Sequence, residues 1–275
     1  MRARALVAGG LAAVLLTGCA QSVDPIERLG KKAAQRVGSY GPDGPDGPDG
    51  PGGASRADGR PYRHWGLLAP LQAPPRAAAR AAVRRGGLPP VVRRVGTSDK
   101  VVFLTYDDGA ERDPRFVDMV RELRLPVSMF LTDSVVGPGY GHFARLQSVG
   151  ASIQNHTLDH PALRGLPYTG QRAEICGQQE KVRSRFGIRP RLFRPPYGTY
   201  DRTTLRAAAD CGLSAVVLWS VSGEGGAPQR PLRAGDIVSV ASGEATGPTL
   251  TERTTRVLRE IERRGLTVGR LEDYL

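Results

Sequence analysis

Histidine is scarce in this 275-residue chain: His64, His142, His156 and His160 are the whole supply, and none follows position 160. Imidazole chemistry is therefore confined to few positions, and two of the four stand four residues apart. Lysine is equally sparse, since of 39 basic residues only Lys31, Lys32, Lys100 and Lys181 are not arginine. The net charge of +12 favours residence near anionic surfaces such as phospholipid headgroups or acidic wall polymers. Nucleic acid is the rival partner for such charge. The arginines are scattered, however, and no basic motif interleaved with aromatics is present, so no nucleic-acid binding is expected.

The apolar stretch Ala5 to Leu16 is shorter than the roughly 20 residues that a spanning helix needs. Preceded by Arg2 and Arg4, it reads as the core of an export signal. It ends in Leu16-Thr17-Gly18-Cys19, which resembles the lipobox of bacterial lipoproteins. The resemblance implies a signal peptide over 1–18, a lipid on Cys19 and an extracytoplasmic protein anchored to the cell membrane. An ordinary secretory peptide with a chance cysteine is the alternative. The other cysteines, Cys176 and Cys211, then lie in an oxidising compartment, either as a disulfide or as two buried thiols; spacing does not choose between them.

Residues 19–96 offer little to build a core from and are expected to form a flexible Gly/Pro/Arg-rich linker. Gly-Pro-Asp triplets over 41–53 read as an extended spacer, and Arg76 to Arg85 as a short basic helix. From residue 97 the texture changes. Apolar runs at Val101 to Thr105, Val127 to Leu131, Ala151 to Ile153, Leu213 to Trp219 and Ile237 to Val240 read as buried strands. Helical patterns lie between and after them: Pro114 to Leu123, Gln171 to Phe186, Thr203 to Cys211, and a last one placing Leu250, Val257, Leu258 and Ile261 on one face. Such alternation predicts an α/β domain over 97–275, a parallel sheet or barrel, with its active site at the carboxyl ends of the strands.

Two motifs fall at those ends. Asp107 and Asp108 close the first strand, and His156-Thr157-Leu158-Asp159-His160 follows the third. Two imidazoles and one carboxylate make a three-ligand set that leaves a metal a free coordination position, and the second carboxylate is then available as a base. A third element, Phe193-Arg194-Pro195-Pro196-Tyr197-Gly198, is stiffened by its prolines and presents an arginine and a tyrosine amide rigidly.

Taken together, these motifs resemble the polysaccharide deacetylase family, the group sharing the NodB homology domain, whose fold is a distorted (β/α) barrel. The resemblance implies that Asp108, His156 and His160 hold a divalent metal, zinc in the usual case. It further implies that Asp107 is the general base, that Arg194 orients it, and that the Tyr197 amide helps hold the oxyanion. Thr157 is expected to support the ligands, and Asp159 to lie outside the ligand set. The implied activity is removal of N-acetyl or O-acetyl groups from a cell-envelope or extracellular polysaccharide, of peptidoglycan or chitin type.

The chain departs from that pattern late. Ser220 to Gly226 replaces the expected aspartate and tryptophan motif, and Ala241 stands where the family's closing histidine serves as general acid. Glu224, Ser239 and Glu244 are the nearby groups that could substitute; none is assigned. The alternative expectation is therefore an impaired, glycan-binding or regulatory lipoprotein.

Overall fold

The computed structural model describes residues 60–75, 87–109, 111–223, 227–241 and 247–275. The signal segment, Cys19, the Gly-Pro-Asp triplets, the basic stretch Arg76 to Arg85, Glu224 and Glu244 lie outside the described residues. Among the described residues, no helix is long and apolar enough to cross a membrane.

The described elements run α1 (Pro61–His64), β1 (Val91–Val92), β2 (Val101–Asp108), α2 (Pro114–Leu123), β3 (Val127–Leu131), α3 (Asp133–Val136), α4 (Tyr140–Ser148), β4 (Ser152–Asn155), α5 (Tyr168–Phe186), β5 (Leu192–Phe193), α6 (Arg202–Asp210), β6 (Ala215–Val217), β7 (Val221–Ser222), β8 (Ile237–Val240), α7 (Leu250–Arg263) and β9 (Thr267–Val268). The strands are ordered β1-β6-β5-β4-β3-β2-β8-β7, with β9 against the start of β2, and every pairing between them is parallel. The result is a curled parallel half-barrel backed by helices, the distorted (β/α) barrel expected.

Local chemistry sets the element ends. Asp113 accepts the Arg115 amide at 2.9 Å to cap α2, and Pro114 supplies a preset first-turn φ. Asp201 and Thr204 form a capping box on α6, and Thr249 and Glu252 form another on α7. The buried face of α7 carries Leu250, Val257, Leu258 and Ile261. A single apolar cluster joins these to Val102, Leu104, Met129 and Ile153 of the sheet. Cys176 of α5 and Cys211 at the end of α6 are disulfide-bonded, which decides between the two readings left open by spacing.

The expected linker does not extend to residue 96. Trp65 and Leu67 are 4% and 3% exposed in the main core, and the Trp65 Nε1–H donates to Glu122 at 2.8 Å. Backbone amides of Leu68 and Ala69 donate to Glu262 at 2.8 and 2.7 Å, and β1 joins the sheet beside β6. A few large apolar side chains suffice to dock a Gly/Pro-rich segment when a helix pair offers a groove. Composition averaged over the segment hides them.

Candidate functional site

Strand register builds the site. Asp108 pairs with Leu131, Leu131 with Asn155, and Asn155 with Phe193, so His156 and Arg194 each emerge one residue beyond the same level of the sheet. On the other side of β2, Thr105 pairs with Ser239 and Tyr106 with Val240. Asp107 and Ala241 each follow that last pair by one residue. The carboxyl ends of β2, β4, β5 and β8 thus converge on one rim, with both aspartates at its centre.

Asp108, His156 and His160 are brought together: one ligand atom from each lies within 4.8 Å of the others. Both imidazole Nε2 atoms point at the same oxygen, Asp108 Oδ1, from 3.4 Å (His156) and 3.2 Å (His160). That oxygen is buried and accepts no conventional hydrogen bond among the described residues. The Nδ1 of His156 lies 2.7 Å from the Arg194 carbonyl. Since a carbonyl only accepts, Nδ1 carries the proton and the Nε2 lone pair faces Asp108. Two imidazole nitrogens and a carboxylate oxygen directed at one point fit a divalent cation, with ligand orientation held from outside by that carbonyl.

Electrostatics agree. Burial opposes ionisation of Asp108, but the adjacent His156 and then His160 outweigh it and hold the carboxyl below its usual value. Burial, then His156, depresses His160 below 6.5 against the pull of Asp108 and Asp107. A neutral imidazole beside an ionised carboxylate is the protonation state that metal binding requires.

Backbone strain is concentrated here. Five described non-glycine residues have positive φ, and four of them are Asp108 (66°), Thr157 (74°), His160 (58°) and Tyr197 (58°). Such conformations cost roughly 1–3 kcal/mol each and persist only when the surroundings enforce them. The enforcing groups are visible. Asn155 Oδ1 accepts the Thr157 amide at 3.0 Å, Thr157 Oγ1 accepts the His160 amide at 3.1 Å, and Glu174 Oε2 accepts the amides of Leu158 and Asp159 at 3.1 and 3.0 Å. Asp159 itself is exposed and is absent from the three-residue cluster. Neither Asn155 nor Glu174 belongs to a spacing that marks it in the sequence; only the fold of α5 against β4 brings Glu174 to this loop.

Asp107 lies beside the cluster under a separate set of bonds. Its Oδ1 accepts Arg194 Nη1 at 2.6 Å, and its Oδ2 accepts Ser239 Oγ at 3.2 Å. Arg194 is fully buried. Its Nη1 also donates to Thr105 Oγ1 at 2.9 Å and its Nε to the Val217 carbonyl at 3.3 Å. The guanidinium carbon stands 4.3 Å from the Phe130 ring centre and 5.5 Å from that of Trp219, so π-faces take the place of a second carboxylate. The Tyr197 ring packs edge-on against His160 at 4.7 Å and is 65% exposed. Ala241 is partly buried beside Asp107's strand and brings no proton donor.

Fold and site together define a (β/α)-barrel protein with an Asp/His/His cluster and an arginine-held aspartate at the carboxyl ends of its strands. The sequence model of the polysaccharide deacetylase family matches residues 94–216. An uncharacterized protein of Streptomyces coelicolor is 61% identical over 203 residues, covering 72% of this chain and 82% of that one. A chitin deacetylase of Amylomyces rouxii is 35% identical over 120 residues, covering 43% of this chain and 28% of its own length. Among solved structures, a carbohydrate esterase family 4 pseudoenzyme from Bacillus anthracis superposes with a TM-score of 0.59 at 20% identity, over 68% of this chain and 69% of that one. Residues 94–216 thus form a domain of the polysaccharide deacetylase family.

Proposed function

We propose that this protein is a metal-dependent hydrolase that removes acetyl groups, N- or O-linked, from a cell-envelope or extracellular polysaccharide of peptidoglycan or chitin type. The observation that carries this reading is the pair of Nε2 atoms directed at a buried Asp108 Oδ1 that has no hydrogen-bond partner among the described residues, next to a second carboxylate held by a buried arginine.

Asp108, His156 and His160 would hold the ion, and zinc suits two imidazoles and a carboxylate. A divalent ion bound there supplies Lewis acidity to the acyl oxygen and to the attacking water. Asp107 takes a proton from that water. Arg194 aims Asp107, its buried guanidinium donating to Oδ1 from 2.6 Å. The Tyr197 amide is assigned to the developing oxyanion, and the positive φ at Tyr197 fixes its direction. The exposed Tyr197 ring offers an apolar face to a sugar.

The export signal and lipidation of Cys19 belong to the same proposal. They would hold the enzyme at the outer face of the cell membrane, where envelope glycans lie and where the net positive charge favours acidic polymers.

The test is acetate release from peptidoglycan, chitooligosaccharides and acetylated xylan with zinc supplied, run beside Asp107→Asn. Release by the wild type and its loss in the variant support the reading; no release from any of the three by zinc-loaded protein sinks it. Ala241 favours a second reading, an impaired deacetylase that retains its cleft for glycan binding. Glycan binding without acetate release would select it.

A further inference from the structure

We infer that Ser239 is a positioning residue for Asp107, its hydroxyl locking the carboxylate plane from the side opposite Arg194; this rests on the assignment of Asp107 as the base.

Ser239 is out of place by composition. Strand β8 reads Ile237-Val238-Ser239-Val240, and its three aliphatic residues are at most 1% exposed, with Ser239 at 8%. A hydroxyl in such a strand costs free energy unless it is hydrogen-bonded. Its bond goes to Asp107 Oδ2, 132 residues away in sequence and one strand away in space.

Among the described residues, the proton count around the base gives this role to Ser239 and not to Thr105. Thr105 is its cross-strand partner, but the Thr105 hydroxyl donates to the Val238 carbonyl at 2.8 Å. It has one proton, so toward Arg194 it acts as acceptor. Nη1 of Arg194 has two protons, one for Thr105 Oγ1 and one for Asp107 Oδ1. On the Oδ2 side the Ser239 hydroxyl supplies the donor.

One donor on one oxygen leaves a carboxylate free to rotate about its Cβ–Cγ bond. Donors on both oxygens, approaching from β5 on one side and β8 on the other, fix that rotation. The remaining lone pairs of Asp107 then point in a set direction, which is what a base needs to meet an attacking water. Orientation of this kind acts on kcat, whereas substrate contacts act on KM.

Thr and Val have nearly the same shape and differ in the hydroxyl, so they separate positioning from packing. Ser239→Val is expected to lower kcat about tenfold, the equivalent of roughly 1.4 kcal/mol, with KM changed by less than about twofold. Ser239→Thr recovers most of that loss. Zinc titration calorimetry gives one ion per chain in all three proteins. A crystal structure of Ser239→Val shows the Asp107 carboxylate rotated relative to wild type, and one of Ser239→Thr does not.

An unchanged kcat in Ser239→Val overturns the proposal, as does a Thr variant that fails like Val, or a loss carried by KM. If the wild type releases no acetate from any glycan, the functional reading falls. The crystal structures still judge Ser239 in that case: an unrotated Asp107 in Ser239→Val overturns the positioning role, and a rotated one supports it.

Discussion

The two sides of the cleft are built to different standards. On the side of β2, β4 and β5, each proposed ligand is directed by its own surroundings: His156 by the Arg194 carbonyl, His160 by Thr157 and Asp108 by its position at the strand end. Residues held at positive φ accumulate there. On the side of β7 and β8, among the described residues, the Ser239 hydroxyl of β8 reaches Asp107 and Ala241 follows the strand. The first side has the density of interactions expected of a preorganised metal centre. Among the described residues, the second contributes the Ser239 hydroxyl to Asp107, and Ala241 at its end brings no proton donor. The difference separates two roles for testing: the proposed ligands lie at the ends of β2 and β4, whereas Ser239, which holds the proposed base, and Ala241 lie on β8 and just beyond it.

The comparison breaks most sharply at Asp108. Replacing it by alanine removes the only carboxylate of the three-residue cluster, and zinc affinity by calorimetry should fall at least about 10³-fold, with acetate release lost alongside. Unchanged zinc affinity would show that the ligand side has been misread. Next comes Asp107→Asn, expected to reduce acetate release by about 10² to 10⁴ while zinc affinity stays near wild type. Loss of both together would mean that Asp107 is itself a ligand.

Ala241→His probes the sparse side directly. If a missing acid limits the protein, N-acetyl hydrolysis should rise by about tenfold or more, and zinc stoichiometry should not change. No gain, from a wild type already turning over well, would place the acid elsewhere.

The smallest effect concerns the support of the dense side. Asp201 caps α6 and accepts the Gly165 amide at 2.9 Å, tying the loop beyond His160 to that helix. Burial opposes its ionisation, but the bonds from Gly165 and Thr204 win and lower its pKa from 3.8 to about 2. A carboxyl lowered on folding adds stability that is complete above its unfolded value and disappears as pH falls through its folded value. The difference in Tm between wild type and Asp201→Asn should therefore be constant above about pH 5 and narrow between about pH 4 and 2. A difference that does not vary over that window would rule out the ionised form as its source.

Much of the barrel is legible in the chain. Val127–Leu131, Ile237–Val240 and Pro114–Leu123 begin and end where the apolar runs and the helical pattern place them. Helix α5 begins at Tyr168, three residues before the expected start, directly after Pro167 at its N-cap. Other elements carry no such mark. Tyr140–Ser148 contains glycine, histidine and glutamine, and it is helical with His142, Phe143 and Leu146 packed inward. The two-residue strands β1, β7 and β9 are too short for any periodicity and exist because a neighbouring edge offers them partners.

The same division runs through the site. The Asp107-Asp108 pair, the two histidines and the Arg-Pro-Pro-Tyr turn are local motifs, so their residue types and spacing could be read along the chain, as could the departure at Ala241. The second layer could not. Asn155 and Glu174 under the histidine loop, Thr105 and Ser239 around the base, and the Phe130 and Trp219 faces over Arg194 meet only after folding. Sequence by itself determined which groups are available for chemistry and roughly where the strands lie, because strand period and motif spacing are short-range properties. Tertiary structure decided which way each group points, since that direction is set by partners from other strands and helices, in the case of Ser239 and Asp107 132 positions apart.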